Sequence, residues 1–183
     1  CKVHRNFQII EFIDKEIWTY DNLFSLGLKA AHFLNELNLK KNDSVLAMIN
    51  DPKKFIPIWV GSSFLSLKFV AINTALRGSV LRHQITMSSA KVILLEDEYY
   101  DEVSKTNFDK KIIKIIKLSD FILSKKLNEK LIQESKNSDV SCIMFTSGTS
   151  GPSKGVIMPN GHCVLFAIGT IENYQLKEKD IFY

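Results

Sequence analysis

The order in which apolar patterns change along the chain limits its fold more than any other feature of the sequence. Short, mostly apolar runs typical of buried strands occur at residues 44–49, 69–73, 90–96, 111–118 and 140–146. Segments with helical spacing separate the first four runs. Because a helix that joins two strands carries the chain across the sheet, this alternation predicts parallel strand pairs. We therefore expect an α/β fold, with a mainly parallel sheet and helices on both faces.

Several helix starts are marked by side chains that suit a helix N-terminus. A short strand is expected at residues 17–20, and Thr19 is a suitable N-cap for a helix over about residues 21–37. The Asn-Asp-Pro sequence at residues 50–52 predicts a capped second helix with proline in its first turn. Ser79 is the expected cap of a third helix.

The composition excludes several classes of protein. Apolar residues make up 45% and charged residues 24% of the chain, and the net charge of +4 comes from dispersed lysines rather than a basic cluster. This distribution is not typical of a nucleic-acid-binding protein. The three cysteines are far apart, so neither a disulfide framework nor a metal site is expected. We expect no transmembrane segment and a cytoplasmic location, because no apolar stretch reaches the length of a membrane span.

The last third of the chain is patterned less evenly. Residues 119–138 predict a loop with at most one helix, whereas residues 161–174 have helical spacing. The chain begins at Cys1 rather than methionine, and residues 180–183 start another apolar run. From these ends we expect residues 1–183 to be a piece of a longer protein.

The loop at residues 146–156, Thr-Ser-Gly-Thr-Ser-Gly-Pro-Ser-Lys-Gly-Val, follows the apolar run that ends near Phe145. Its hydroxyls, its backbone N–H groups and the Lys154 ammonium are donors for phosphate oxygens, and no acidic residue opposes them. A flexible surface linker is the alternative interpretation, but the loop is short and lies between two apolar segments. It is not a Walker A loop, because Ser153 and Gly155 occupy the positions of that motif's glycine and its magnesium-binding hydroxyl.

The loop closely resembles the phosphate-binding signature of the adenylate-forming, or AMP-binding, superfamily, [ST]-S-G-[ST]-[ST]-G-x-P-K-G-V. The matching residues are Thr146, Ser147, Gly148, Thr149, Ser150, Gly151, Lys154, Gly155 and Val156. Ser153 replaces the usual proline, and Pro159-Asn160 replaces the usual Thr-His pair, so the role of that histidine cannot be transferred. Residues 69–96 are most similar to acyl-CoA synthetases of the crotonobetaine/carnitine–CoA ligase type. Asn38 and Asn42 lie where family members often have glycine.

The resemblance implies an ATP-dependent carboxylate–CoA ligase that uses ATP, Mg²⁺ and coenzyme A with a small carboxylate. In that family Lys154 would be catalytic, and the phosphates would be bound by Thr146, Ser147, Gly148, Thr149, Ser150, Gly151 and Lys154. Two alternatives stay open: an adenylation domain that loads a carrier protein, and a non-catalytic nucleotide-binding module. The resemblance also implies that residues 1–183 are an incomplete N-terminal domain, without the rest of that domain or the C-terminal domain, and are inactive alone. The acid and the oligomeric state are not indicated.

Overall fold

A computed structural model describes residues 4–108, 114–121, 127–146, 152–178 and 180–181. Short 3₁₀ turns lie at Asp97–Tyr99 and Glu129–Leu131. The strands and helices follow in chain order: β1 (Gln8–Glu11), β2 (Ile17–Thr19), α1 (Tyr20–Glu36), β3 (Ser44–Met48), α2 (Pro52–Phe64), β4 (Lys68–Ala71), α3 (Gly78–Ser88), β5 (Ala90–Leu95), α4 (Tyr100–Lys105), β6 (Lys114–Lys117), β7 (Val140–Phe145), β8 (Gly155–Pro159) and α5 (Asn160–Tyr174).

A six-stranded sheet in the order β6-β5-β3-β4-β7-β8 forms the centre of the structure. The first five strands pair in parallel, and β8 pairs antiparallel with β7. A separate antiparallel hairpin is formed by β1 and β2. The predicted α/β fold with a mainly parallel sheet is confirmed. The sequence patterns did not predict β1 or β8, which are short strands held by antiparallel pairing.

Alternate residues of β3 contribute to two hydrophobic cores. Val45 and Ala47 pack with Leu34 of α1 and Ile58 of α2 on one face of the sheet. On the other face, Leu46 lies in the core formed with residues of α3 and α4. All five residues of β3 are buried, which explains why the strand is apolar almost throughout. Helices on both faces are thus confirmed.

Helices α1 and α2 approach each other closely because glycines lie at their crossing. A Cβ atom at Gly61 would lie 2.7 Å from the backbone nitrogen of Ala31 and 2.9 Å from the carbonyl oxygen of Gly27. Any side chain at Gly61 would therefore force the two helices apart. This contact fixes the layer that covers one face of the sheet.

Two of the three predicted helix caps are confirmed. Thr19 caps α1 in a capping box with Asn22, and Asp51 caps α2 ahead of Pro52. The prediction for Ser79 is wrong, since α3 already begins at Gly78 and Arg77 holds the cap position without a side-chain bond. Leu81 N–H donates to the Arg77 carbonyl oxygen at 3.3 Å, which places Ser79 inside the first turn.

The segments before β7 differ in part from the sequence prediction. Of the strand predicted at residues 111–118, β6 covers Lys114–Lys117, and residues 111–113 lie outside the described residues. Of the predicted loop at 119–138, residues 122–126 lie outside the described residues, and the turn Glu129–Leu131 is its helical part. Strand β7 is not fully buried as expected, because Met144 near its carboxyl end is exposed, whereas Cys142 on the same face is buried.

Candidate phosphate-binding site

The β7–β8 hairpin brings the two ends of the phosphate loop together. Phe145 and Gly155 are register partners. One step further, Thr146 N–H donates to the Lys154 carbonyl oxygen at 3.0 Å, and Lys154 N–H donates to Thr146 Oγ1 at 3.2 Å. Of the predicted site residues, the structure therefore brings together Thr146 and Lys154. Ser147, Gly148, Thr149, Ser150 and Gly151 lie outside the described residues.

The ends of the loop lie at the carboxyl edge of the parallel sheet. Strand β7 runs parallel to β4, with Phe69 opposite Cys142 and Val70 opposite Ile143. Thr146 directly follows the carboxyl end of β7. Open α/β sheets bind ligands beyond the carboxyl ends of their strands, so the loop begins where a ligand is expected.

The Lys154 side chain is exposed, and the ion pairs among the described residues do not include it. Its backbone is held by both bonds to Thr146. Within the described part of the chain, no carboxylate pairs with the ammonium, so it is available to an external anion. A lysine of this kind suits a phosphate group, which it contacts as a point charge.

Gly155 allows the hairpin to close tightly next to Lys154. A Cβ atom at this position would lie 3.1 Å from Ile143 Cγ2, closer than nine in ten real Cβ contacts. On the far side of β8, Asn160 Nδ2 donates to the Lys136 carbonyl oxygen at 3.0 Å, and Asn160 N–H donates to the Asp139 carbonyl oxygen at 2.9 Å. The residue that replaces the family's histidine therefore fastens the start of α5.

Helix α3 contacts the loop through residues that sequence reasoning missed. His83 Nε2 lies 2.7 Å from the Ser153 carbonyl oxygen, and Gln84 Nε2 donates to Ser153 Oγ at 3.1 Å. Because a carbonyl oxygen only accepts, His83 must carry a proton on Nε2. The adjacent His-Gln pair is visible in the sequence, but its distance from Ser153 along the chain gives no signal of contact.

The neck of the loop, where Thr146 and Lys154 are hydrogen-bonded to each other, is suited to binding phosphate rather than to supplying a nucleophile. Burial raises the pKa of the Cys142 thiol on β7 to about 11, and Cys163 adds to the shift. This thiol stays protonated at neutral pH and is a poor nucleophile. Among the described residues, no three His, Cys, Asp or Glu side chains lie together in an arrangement suited to a metal ion. The hydroxyls of Thr146 and Ser153 and the ammonium of Lys154 are hydrogen-bond donors that suit the oxygens of a phosphate group.

The parallel sheet and the helices on both of its faces define an α/β domain, with the candidate phosphate site at the carboxyl edge of the sheet. Residues 2–183 match the model of the AMP-binding enzyme family, and the chain belongs to that family. The chain is 26% identical over 168 residues to a 2-succinylbenzoate–CoA ligase of Bacillus cereus. The aligned region covers 92% of the chain and 33% of the ligase.

Solved structures share the fold. The o-succinylbenzoate CoA synthetase MenE from Bacillus subtilis, bound with its product analogue OSB-NCoA, superposes with a TM-score of 0.82 at 21% identity, over 98% of this chain and 36% of that one. ATP-bound MatB from Rhodopseudomonas palustris gives a TM-score of 0.81 at 18% identity, over 94% of this chain and 36% of that one. At such identities the likeness establishes the fold alone. The chain spans about a third of the length of these relatives.

No helix among the described residues is both long enough and apolar enough to cross a membrane.

Proposed function

We propose that this chain is part of an ATP-dependent carboxylate–CoA ligase and contributes the site that binds the ATP phosphates. The observation that carries the proposal is the hydrogen-bonded neck between Thr146 and Lys154, at the carboxyl edge of the sheet, in a chain of the AMP-binding enzyme family. The Lys154 ammonium, which has no ion-pair partner among the described residues, supplies the positive charge that a polyphosphate requires. The loop residues 147–151 belong to the proposal through their match to the family signature.

The proposed first step is formation of an acyl-adenylate. A carboxylate oxygen of the substrate attacks the α-phosphorus of ATP, and the bond from that phosphorus to the bridging oxygen breaks as pyrophosphate leaves. Negative charge grows on the departing β- and γ-phosphates. Lys154 stabilises that charge more strongly in the transition state than in bound ATP, which lowers the barrier. Mg²⁺ enters with the nucleotide and shares the charge.

The proposed second step is transfer of the acyl group to coenzyme A. The thiolate sulfur attacks the acyl carbonyl carbon, and AMP leaves with the electron pair of the broken carbon–oxygen bond. Coenzyme A is proposed as acceptor because the relatives are named as CoA ligases. A carrier protein as acceptor, or a module without chemistry, would be revealed by the assay below.

The acid is the least defined part of the proposal. The sequence block at residues 69–96 resembles crotonobetaine/carnitine–CoA ligases, whereas the relatives described above are 2-succinylbenzoate ligases. A test panel must therefore contain aromatic dicarboxylates as well as small aliphatic and fatty acids.

We also propose that residues 1–183 form an incomplete N-terminal domain without activity of its own. The relatives are about three times as long as the matched segment. Helix α5 leaves apolar side chains such as Leu165 and Ile171 exposed, which a further part of the domain would cover. Carboxylate-dependent turnover by the 183-residue chain would contradict this part of the proposal.

The decisive experiment is ATP–pyrophosphate exchange by the longer protein that carries these residues. We expect exchange that depends on one acid of the panel, and Lys154→Ala should reduce it by about 100-fold, the usual effect of removing a transition-state charge partner. Lys91→Ala is the matched control, because Lys91 is an exposed lysine at the amino end of β5, away from the carboxyl edge. It should exchange at the wild-type rate.

A second measurement separates catalysis from folding. Thiol transfer from a pre-made acyl-adenylate no longer needs the β- and γ-phosphates, so Lys154→Ala should impair it far less than exchange. Equal loss in both half-reactions, or no exchange with any acid of the panel, would overturn the proposed role. Transfer to a carrier protein but not to coenzyme A would replace the proposed acceptor.

A further inference from the structure

The residue before Lys154 is held by two side chains of α3. His83 Nε2 lies 2.7 Å from the carbonyl oxygen of Ser153, and Gln84 Nε2 lies 3.1 Å from Ser153 Oγ. We propose that His83 and Gln84 are positioning residues that fix the base of the Lys154 side chain for phosphate binding. The inference rests on the proposed function and deepens it, since it assigns residues that act on the nucleotide through Lys154.

The contacts on Ser153 and Lys154 together leave little freedom in this part of the backbone. The Ser153 carbonyl and hydroxyl are bound by α3, while the Lys154 N–H and carbonyl are bound by Thr146. Four consecutive polar groups are therefore occupied from two directions. The side-chain torsions of Lys154 remain as its main freedom, so the ammonium searches a small volume around the loop. Such preorganisation reduces the entropy lost when phosphate binds.

Helix α3 is a rigid platform for these contacts. Leu81 and Ile85 of the same helix are fully buried against the sheet. Gln84 is itself only 6% exposed, so its amide would destabilise the folded protein if it had no hydrogen-bond partner. The bond to Ser153 Oγ gives Gln84 Nε2 a hydrogen-bond partner and restrains the loop at the same time.

The two contacts also explain how the chain tolerates its departure from the family signature. The signature has proline where this chain has Ser153, and a proline ring would restrain the backbone by itself. Serine has no such restraint but offers a hydroxyl, which Gln84 binds. In this chain, hydrogen bonds from a neighbouring helix thus replace the stiffness of a proline ring.

Amide hydrogen exchange on the longer protein that carries these residues tests the contacts without any need for activity. We expect His83→Phe and Gln84→Met each to speed exchange at the Thr146 and Lys154 amides by about two- to tenfold, as for loss of one hydrogen bond. Met87→Gln is the matched control, because Met87 is an exposed residue of the same helix, and it should change neither amide. Unchanged exchange in both variants, or an equal rise throughout α3 and β5, would overturn the inference.

Kinetics of the longer protein test the consequence for the nucleotide. Each variant should raise the KM for ATP by about two- to tenfold and leave the KM for the carboxylate within about twofold. Ser153→Pro should retain activity, because the Ser153 N–H donates no bond among the described residues. In that background Gln84→Met should have no further effect, since the hydroxyl that it binds is gone. An undiminished effect of Gln84→Met in the Ser153→Pro protein would refute the assigned contact.

The two tests also separate this inference from the proposed function. If the longer protein exchanges no pyrophosphate with any acid, the proposed function fails, while hydrogen exchange still decides whether α3 restrains the loop. If exchange occurs but the variants leave the KM for ATP unchanged, the function stands and the positioning role is wrong.

Discussion

Helices α1 and α5 are of similar length but differ in how they are packed. Helix α1 places Leu28, Leu34 and two alanines in the core, with at most 2% of each exposed. Helix α5, described over its whole length, has no buried residue, and Leu165 on it is 67% exposed. The strands that they accompany differ in the same way, since β3 is fully buried, whereas only Met158 is buried in β8.

The difference shows that apolar burial and polar contacts have separate tasks in this chain. Burial around α1, α2 and β3 stabilises the sheet. The β7–β8 hairpin and α5 bury fewer apolar side chains, and hydrogen bonds from His83 and Gln84 on one side and from Asn160 on the other also hold them. Hydrogen bonds are directional, so they can place Lys154 accurately where apolar packing is thin.

The largest effect should come from a leucine pair that compares the two helices directly. Leu34 is fully buried in α1, so Leu34→Ala should lower the free energy of unfolding by about 3 kcal/mol or more through lost burial and a cavity. Leu165→Ala removes the same atoms from an exposed site on α5 and should change the free energy of unfolding by about 0.5 kcal/mol or less. Urea unfolding of the 183-residue chain measures both values.

The same pair becomes more informative in the longer protein. If additional chain covers α5, Leu165→Ala should become costly there while Leu34→Ala keeps its effect. A large loss for Leu165→Ala already in the 183-residue chain would contradict the contrast between the two helices.

A pair of glycine substitutions should give the next largest effect. Gly61→Ala brings a Cβ within 2.7 Å of the Ala31 backbone, and we expect a loss of about 2–3 kcal/mol from the forced separation of α1 and α2. Gly169→Ala on α5 finds its nearest atom 4.0 Å away, and it should stabilise the helix by about 0.5–1 kcal/mol. Thermal unfolding of both variants gives opposite signs if the contrast holds. A destabilised Gly169→Ala protein would indicate that α5 is more closely packed than described.

The sequence predicted best the parts of the fold that local chemistry determines. The parallel strands follow from their apolar runs, and the caps at Thr19 and Asp51 follow from side chains next to their own helices. Asn38 and Asn42, which lie where the resembled family pattern often has glycine, have φ angles of 59° and 70°. Asparagine is one of the few residues other than glycine that adopts this conformation readily, so it fits both positions.

The parts that were missed depend on contacts between distant segments. Strand β8 contains Gly155 and Pro159, and its pairing with β7 rather than its own propensity makes it a strand. The contact of His83 and Gln84 with Ser153 joins residues about seventy positions apart. No spacing rule covers such a pair, so the local motif predicted the loop while the tertiary fold determined what holds it.

The smallest expected effect concerns an ion pair between the segment before the buried strand β3 and the segment before the more exposed strand β7. Lys41, just before β3, places its Nζ 2.8 Å from Asp139 Oδ2, just before β7. Lys41 lowers the pKa of the Asp139 carboxyl below its ordinary 3.8, and the Lys136 N–H adds to the shift. A carboxyl with a lowered pKa stabilises the fold above its ordinary value, and that contribution disappears as the pH falls through the lowered value.

Lys41→Met should therefore shift the urea midpoint slightly downward at neutral pH, and the difference from wild type should shrink as the pH falls below 3.8. Part of the acid dependence should persist in the variant, because the bond from Lys136 N–H to Asp139 remains. Lys40→Met is the control, since it removes a neighbouring exposed lysine that makes no ion pair within the described residues. A difference that stays constant from neutral pH to well below pH 3.8 would mean that Lys41 acts through packing. The charge of Lys41 would then not contribute to holding the segment before β3 against the segment before β7.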